Sequence, residues 1–81
     1  MSTLPDVHAF LDAHGAEVVA GIAARHGIDA AGCELLREQC VASEQEPGTV
    51  VVTVLHATGI YGAMVKVQPD GTPGETSYMR M

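Results

Sequence analysis

The sequence has few aromatic and few basic residues. Among its 81 residues there is no tryptophan, and the aromatic side chains are one phenylalanine and two tyrosines. The core must therefore be mainly aliphatic, and stacking platforms for nucleobases or sugars are not expected. Lysine and arginine together number four, against ten acidic residues. Because four bases neutralise few phosphates, neither nucleic acid nor an anionic membrane is an expected partner.

Long apolar runs and a basic leader are also missing. No segment approaches the roughly 20 apolar residues of a membrane span, and no secretory signal is expected. Two cysteines without an export signal indicate a reducing compartment, with the cytoplasm as the default. The formal net charge of −6 makes a basic protein surface the natural electrostatic partner, although the same charge also serves simply to keep a small domain soluble.

The chain is long enough for one domain with a small core. Hydrophobic residues make up 47% of it. A chain of this length buries about 60% of its unfolded surface, so it folds alone with little margin. We expect a single α+β domain over residues 1–81, with a helical half at 4–44 and an antiparallel β half at 49–81.

The first half shows helical spacing. Apolar residues recur in steps of three and four from Leu4 to Gly27. Gly15 interrupts this pattern, and a His-Gly pair at 14–15 is repeated at 26–27, which is typical of helix C-termini. The segment forms one long helix or, as we expect, two. Another helix is expected from Ala30 to about Ser43, so that two or three helices form one layer.

The second half predicts three strands in an antiparallel meander. Stretches rich in valine and threonine are separated by a short loop at 58–61 and by a strong turn cluster at 69–74. The expected strands are Thr49–Ala57, Gly62–Gln68 and Glu75–Met81. A four-residue loop sets Val54 opposite Val65, and it places an apolar face that ends in His56 against the helices.

The stretch CELLREQC contains both cysteines, Cys33 and Cys40. Seven residues along a helix separate them by about 10 Å, whereas disulfide-bonded Cα atoms lie about 4.4–6.8 Å apart. Zinc ligands are usually closer in sequence and need a second pair. We therefore interpret the cysteines as two small apolar side chains on a buried helix face, with a metal or redox role as the alternative.

Two histidines are candidates for acid–base chemistry. His8 and Asp12 are four residues apart, which fits either an oriented base or a solvated surface pair. His56 is either a partly buried proton acceptor or a rim residue hydrogen-bonded to a helix end. No phosphate-binding loop or nucleophile elbow accompanies them. We assign no catalytic residue, metal or cofactor, and a small enzyme or metal protein using histidine or cysteine remains an alternative.

The segment 23–33, AARHGIDAAGC, resembles the turn of helix-turn-helix domains, because an alanine precedes a glycine by four residues and an apolar residue follows that glycine by six. With the β-hairpin it resembles the winged-helix arrangement over about residues 16–68. This resemblance implies a transcription regulator. The would-be recognition helix carries Glu34 and Glu38 with only Arg37, so we expect even a winged fold to bind protein instead of DNA.

The other face of the predicted sheet is the best candidate for a binding surface. Leu55 pairs there with Met64, and Ile60 and Tyr61 lie at the adjoining loop. Met79 and Met81 join if the third strand places Met79 beside Met64. Exposed apolar patches of this composition are typical of protein-binding surfaces. Alternatively, the loop residues fold back onto the helices.

The leading hypothesis is a non-enzymatic protein-binding module: an adaptor, a chaperone, or an inhibitor such as phages encode. It would combine this patch with the acidic side chains of Glu34 and Glu38 to cover a basic surface. The last strand is also an open edge, through which a homodimer could pair.

Overall fold

The computed structural model describes residues 6–81. One helix is followed by five strands, which form a single antiparallel sheet with β1 and β2 beside β3, then β4, then β5. The helix packs on one face of the sheet, called the inner face; the other is the outer face. The elements are α1 (Val7–His26), β1 (Glu34–Leu35), β2 (Val41–Ala42), β3 (Thr49–His56), β4 (Gly59–Val67) and β5 (Pro73–Arg80), with 3-10 turns at Ala30–Gly32 and Arg37–Gln39.

The helix α1 is continuous, so the expected break at Gly15 is wrong. Asp6 caps its N-terminus by accepting the N–H of Ala9 at 3.1 Å, and Gly27 ends it in the left-handed conformation with φ 68°. Gly15 is buried within the helix because the apolar residues before and after it share the face that packs on the sheet. The predicted start at Leu4 lies outside the described residues.

The predicted helix at 30–43 is also wrong, because this segment forms the edge of the sheet. Glu34 and Leu35 pair with β3, and the N–H of Leu36 donates to the C=O of Thr53 at 2.9 Å. Helix propensity is a weak preference that such tertiary pairing overrides. The α+β class is confirmed, but one helix and five strands replace two or three helices on a three-stranded meander. With a single α-helix among the described residues, the winged-helix arrangement is corrected too.

The three predicted strands are present as β3, β4 and β5, but the β3–β4 register is different. The turn consists of Ala57 and Thr58 alone, followed by Gly59 at φ 147°, a value that favours glycine. Val54 therefore lies opposite Tyr61 instead of Val65. Each β3 residue thus lies opposite a β4 residue four positions earlier in the chain than predicted. Because four is an even number, each strand residue still lies on its predicted face.

The core lies between α1 and the inner face. Its strand residues are mainly valines, whose branched side chains suit a pleated surface. A single helical layer covers only one face of the sheet, so the outer face has no second layer within the described residues. The buried core consists of Phe10, Leu11, Val18, Ile22, Cys40, Val50, Val52, Val54, Tyr61, Ala63 and Val65.

Candidate protein-binding surface

Apolar side chains lie on the outer face on both sides of the Thr53–Gly62 pair. Alternation along the strands places every second residue there, and the register sets Leu55 opposite Ile60 and Val51 opposite Met64. On the neighbouring strands, Val41 of β2 lies opposite Val51, and Met79 of β5 lies opposite Gly62. Met81 follows β5 and bonds to Ile60. We call the apolar residues of this face the outer patch: Val41, Val51, Leu55, Ile60, Met64, Met79 and Met81.

Four side chains of the outer patch are open to solvent. The exposed fraction is 57% for Met81, 51% for Val41, 40% for Leu55 and 37% for Ile60. Leu55, Ile60 and Met81 are neighbours across the sheet, whereas Val41 lies opposite Val51, four residues along β3 from Leu55. Single exposed apolar residues are ordinary on a protein surface, but a group of neighbours is typical of an interaction site.

Two methionines of the outer patch lie across one glycine. A Cβ atom at Gly62 would come within 2.6 Å of Met81 Cε and 3.3 Å of Met79 Cγ, so the bare backbone of this residue provides the space that both side chains fill. Methionine is flexible and polarisable, and it adapts to differently shaped partner surfaces.

The structure brings five of the predicted site residues together. Leu55, Ile60, Met64 and Met79 all lie on the outer face, and Glu34 lies there opposite Leu55. Met79 is opposite Gly62, and Ser77 takes the expected place beside Met64. An acidic side chain thus borders the outer patch at the β1 end.

Tyr61 does not belong to this surface. It lies on the inner face with 5% of its surface exposed, because its partner Val54 also points towards α1. Its hydroxyl oxygen lies 2.8 Å from Thr58 Oγ1. Its ring packs on that of His26 at a centroid distance of 4.6 Å, and the Arg80 guanidinium lies 5.7 Å from the ring centroid. The tyrosine therefore anchors the β3–β4 turn.

His56 is held between the loop after α1 and the β3–β4 turn. Its Nε2 lies 2.9 Å from Asp29 Oδ1, and its Nδ1 lies 2.8 Å from Thr58 Oγ1 and accepts the Thr58 backbone N–H at 3.2 Å. Because Nδ1 accepts, the proton of the neutral ring lies on Nε2 and is donated to Asp29. That hydrogen bond holds the pKa of the Asp29 carboxyl below its ordinary value. These hydrogen bonds of His56 connect the loop before β1 to the end of β3.

The predicted pair of His8 and Asp12 is replaced by a different contact. The Asp12 carboxylate accepts a hydrogen bond from the Arg37 guanidinium and so links α1 to the 3-10 turn before β2. Both side chains are exposed, so the ion pair contributes little to stability. Glu38, another predicted site residue, is exposed in the same turn on the β1–β2 side of the sheet.

Both cysteines are free and pack as apolar groups, as predicted, although not on a helix. Cys40 is in the core and Cys33 packs against it, and burial raises the pKa of each thiol. The Cys40 Sγ also accepts the Thr53 N–H at 3.4 Å and donates to the Leu36 C=O at 3.2 Å. Over residues 6–81, no three His, Cys, Asp or Glu side chains are grouped so that they could hold a metal ion.

A cleft lies away from the outer patch, between the first half of α1 and the β4–β5 turn. It encloses about 540 Å³, and Phe10, His14 and Val67 are among its walls. At its rim Asp70 accepts hydrogen bonds from Thr72, which lower the pKa of this carboxyl. We assign no ligand to the cleft, because it borders the first residue that the structure describes.

Comparison of the chain with protein families, with curated proteins and with solved structures gives no match. Among the residues that the structure describes, no helix has the length and hydrophobicity needed to cross a lipid bilayer.

Proposed function

We propose that the chain is a protein-binding module that engages its partner through the outer patch. The observation that carries this proposal is the uncovered outer face, on which Val41, Leu55 and Ile60 are exposed while α1 covers the inner face. Burying the exposed part of these side chains in a complex is favourable by roughly 25 cal/mol for each Å² of apolar surface removed from water. An adaptor, a chaperone or a phage-type inhibitor would use a surface of this kind.

The partner surface is expected to be basic. The chain has a formal net charge of −6, and Glu34 borders the outer patch beside Leu55. At the other end of the outer face, Glu46 and Glu75 line a shallow cleft together with Lys66. Acidic groups around an apolar centre favour encounter with lysine and arginine, and such association weakens as ionic strength rises.

The proposal places this module in a reducing compartment such as the cytoplasm. Both cysteines are free, and neither has the other as a disulfide partner. Free thiols of this kind persist where glutathione and thioredoxin keep proteins reduced.

The test uses a synthetic peptide in which lysine and leucine alternate. An extended strand of this pattern presents leucine to the outer patch, and its long lysine side chains can reach the acidic groups at the rim. We expect the peptide to shift the NMR amide signals of Leu55, Ile60 and Met64. A peptide with glutamate in place of lysine is the charge control and is expected to bind much more weakly.

A pair of matched variants locates the binding surface. Leu55→Ser combined with Ile60→Ser should weaken peptide binding about tenfold or more at any salt concentration, which corresponds to about 1.4 kcal/mol or more. Ala20→Ser combined with Ala24→Ser alters two exposed residues of α1 and should leave binding unchanged. Equal affinity of the outer-face variant and the unaltered chain, or signal shifts centred on α1, would contradict the proposal.

A further inference from the structure

The strand β5 leaves one side of its backbone open. The N–H of Met81 donates to the C=O of Ile60 at 2.9 Å, and alternate residues of β5, including Ser77, therefore hydrogen-bond to β4. The residues between them point the other way. Those that direct their N–H and C=O groups away from the sheet are Thr76, Tyr78 and Arg80.

Little in β5 opposes pairing with another strand. Natural edge strands are usually protected by lysine, by a central proline, by a bulge or by an interruption. In β5 the proline is Pro73 at the first position, and the irregular register between Val65 and Val67 lies at the same end. The remainder, residues 74–81, contains neither proline nor lysine, and its charged side chains are Glu75 and Arg80.

The charged residues of β5 itself balance each other, unlike those at the opposite edge, and Glu17 of α1 lines a cleft beside β5. Residues 73–81 contain one acid and one base, Glu75 and Arg80. Residues 33–46, which form the β1–β2 edge, contain four acids and one base. Two copies that approach through β5 therefore keep their acidic edges far apart, where salt screens the repulsion.

We infer that β5 pairs antiparallel with β5 of a second copy of this chain, around a two-fold axis beside Ser77. A two-fold axis perpendicular to the sheet places the outer faces of both copies on the same side. A residue of β5 must therefore lie opposite a residue of the partner's β5 that is on the same face, so that both are even-numbered or both are odd-numbered. The register centred on Ser77 opposes residues 74–80 of the two strands and leaves out Pro73, which has no N–H to donate. It sets Thr76 opposite Tyr78 of the partner subunit and lets the outward backbone groups of both strands pair.

This pairing joins two sheets into one and sets two outer patches side by side. Leu55 on β3 and Ile60 on β4 do not belong to the strand at the new junction, and an in-plane pairing of the two sheets leaves their outer face exposed. The inference therefore does not depend on the proposed function, and either can fail without the other.

A cysteine at the axis provides the direct test. Ser77 is exposed, and its N–H bonds to β4, so two Ser77 residues would face each other as a non-hydrogen-bonded pair with Cα atoms about 4.5 Å apart. That distance suits a disulfide. With oxidised glutathione as the oxidant, Ser77→Cys should form one intermolecular disulfide and release two glutathione thiols, measured on non-reducing gels.

Neighbouring positions test the register. Glu75→Cys alone should not cross-link, because the two Glu75 residues would be offset by four residues, about 13 Å along the strand. A mixture of Glu75→Cys and Met79→Cys chains should cross-link, since these residues would be opposed on the outer face. The unaltered chain, which carries Cys33 and Cys40, sets the background.

Light scattering at low and high salt completes the test. A mass of two chains that does not change with salt, together with cross-linking at the named positions, supports the inference. A monomer mass throughout the micromolar range overturns it, and so does a dimer in which Ser77→Cys cross-links no faster than Ala20→Cys on α1. Leu55→Ser with Ile60→Ser should leave the cross-linking unchanged, so a loss of patch binding is distinguishable from a loss of pairing.

Discussion

The two edges of the sheet are built in opposite ways. At one edge, β1 and β2 each pair with β3 through only two residues, and the 3-10 turn Arg37–Gln39 separates them. At the other edge, β5 is a single strand of eight residues. Where an edge strand is interrupted, the N–H and C=O groups of the neighbouring strand need other hydrogen-bond partners. A continuous edge strand pairs with its neighbour along its length, and the outward-facing N–H and C=O groups of its own backbone stay available to another chain.

The interrupted edge is completed by a side chain. Thr53 lies at the gap between β1 and β2, with 3% of its surface exposed. Its C=O accepts the Leu36 N–H at 2.9 Å, but its N–H has the Cys40 sulfur, at 3.4 Å, in place of a backbone oxygen. The thiol thus takes the position of the missing strand residue, and it fills part of the core at the same time.

The largest expected effect comes from removing that thiol. Cys40→Ala leaves a small cavity and an unpaired, buried N–H at Thr53, so it should lower the free energy of unfolding by about 2–3 kcal/mol. Cys33→Ala is the matched control, because this cysteine is only half-buried and should cost less than about 1 kcal/mol. Denaturant titration of both variants measures the difference.

Cys40→Ser separates the two causes. Serine restores a hydrogen-bond acceptor without restoring the apolar volume, so its stability should fall between those of the unaltered chain and Cys40→Ala. Equal losses for Cys40→Ala and Cys33→Ala would show that the thiol is not a substitute for the strand at the gap.

The difference between the edges also explains which parts of the fold were predictable. The strands β3, β4 and β5 follow from local signals, since valine and threonine runs alternate with turn clusters. The segment 30–43 has equally strong local signals for a helix, in particular the stretch ELLREQ. Its actual conformation depends on pairing with the open side of β3. That partner lies outside the segment, so the residue pattern of the segment does not predict the pairing.

The outer patch was predictable only in part. Leu55, Met64 and Met79 follow from the two-residue period of strands, and they stay on the predicted face because the register errors were even. Ile60 was expected in the loop, and the shorter turn brings it into β4 opposite Leu55. Val41 is not predictable as part of this surface, because its segment has the pattern of a helix and a strand of two residues shows no periodicity.

Tyr61 was misplaced for a related reason. The predicted four-residue loop ended at this residue, so no strand face constrained its side chain. The actual two-residue turn draws Tyr61 into β4, where its register opposite Val54 directs it to the inner face.

A smaller effect on the free energy of unfolding is expected from substituting two glycines of α1, one facing each edge of the sheet. A Cβ at Gly15 would lie 3.6 Å from Leu35 of β1, which is ordinary contact, whereas a Cβ at Gly21 would lie 2.7 Å from the Tyr78 hydroxyl of β5. Gly15→Ala should therefore raise the free energy of unfolding by about 0.5–1 kcal/mol. Gly21→Ala should gain less, because the Tyr78 side chain must move. Equal gains in thermal unfolding would mean that Tyr78 does not pack on Gly21.

The smallest effect concerns the hydrogen bond at the start of the interrupted edge. Asp29 precedes the 3-10 turn that leads to β1, and the hydrogen bond from His56 lowers the pKa of its carboxyl. A carboxyl whose pKa is lower in the folded state contributes stability above its ordinary pKa of about 3.9, and this contribution is lost as the pH falls through the lowered value.

The unaltered chain should thus be slightly more stable than Asp29→Asn near neutral pH, and the difference in the free energy of unfolding should vanish in acid. In a His56→Gln background the same substitution should show no such pH dependence. A difference that stays constant down to about pH 2 would mean that the ionised carboxyl does not help to hold this edge in place.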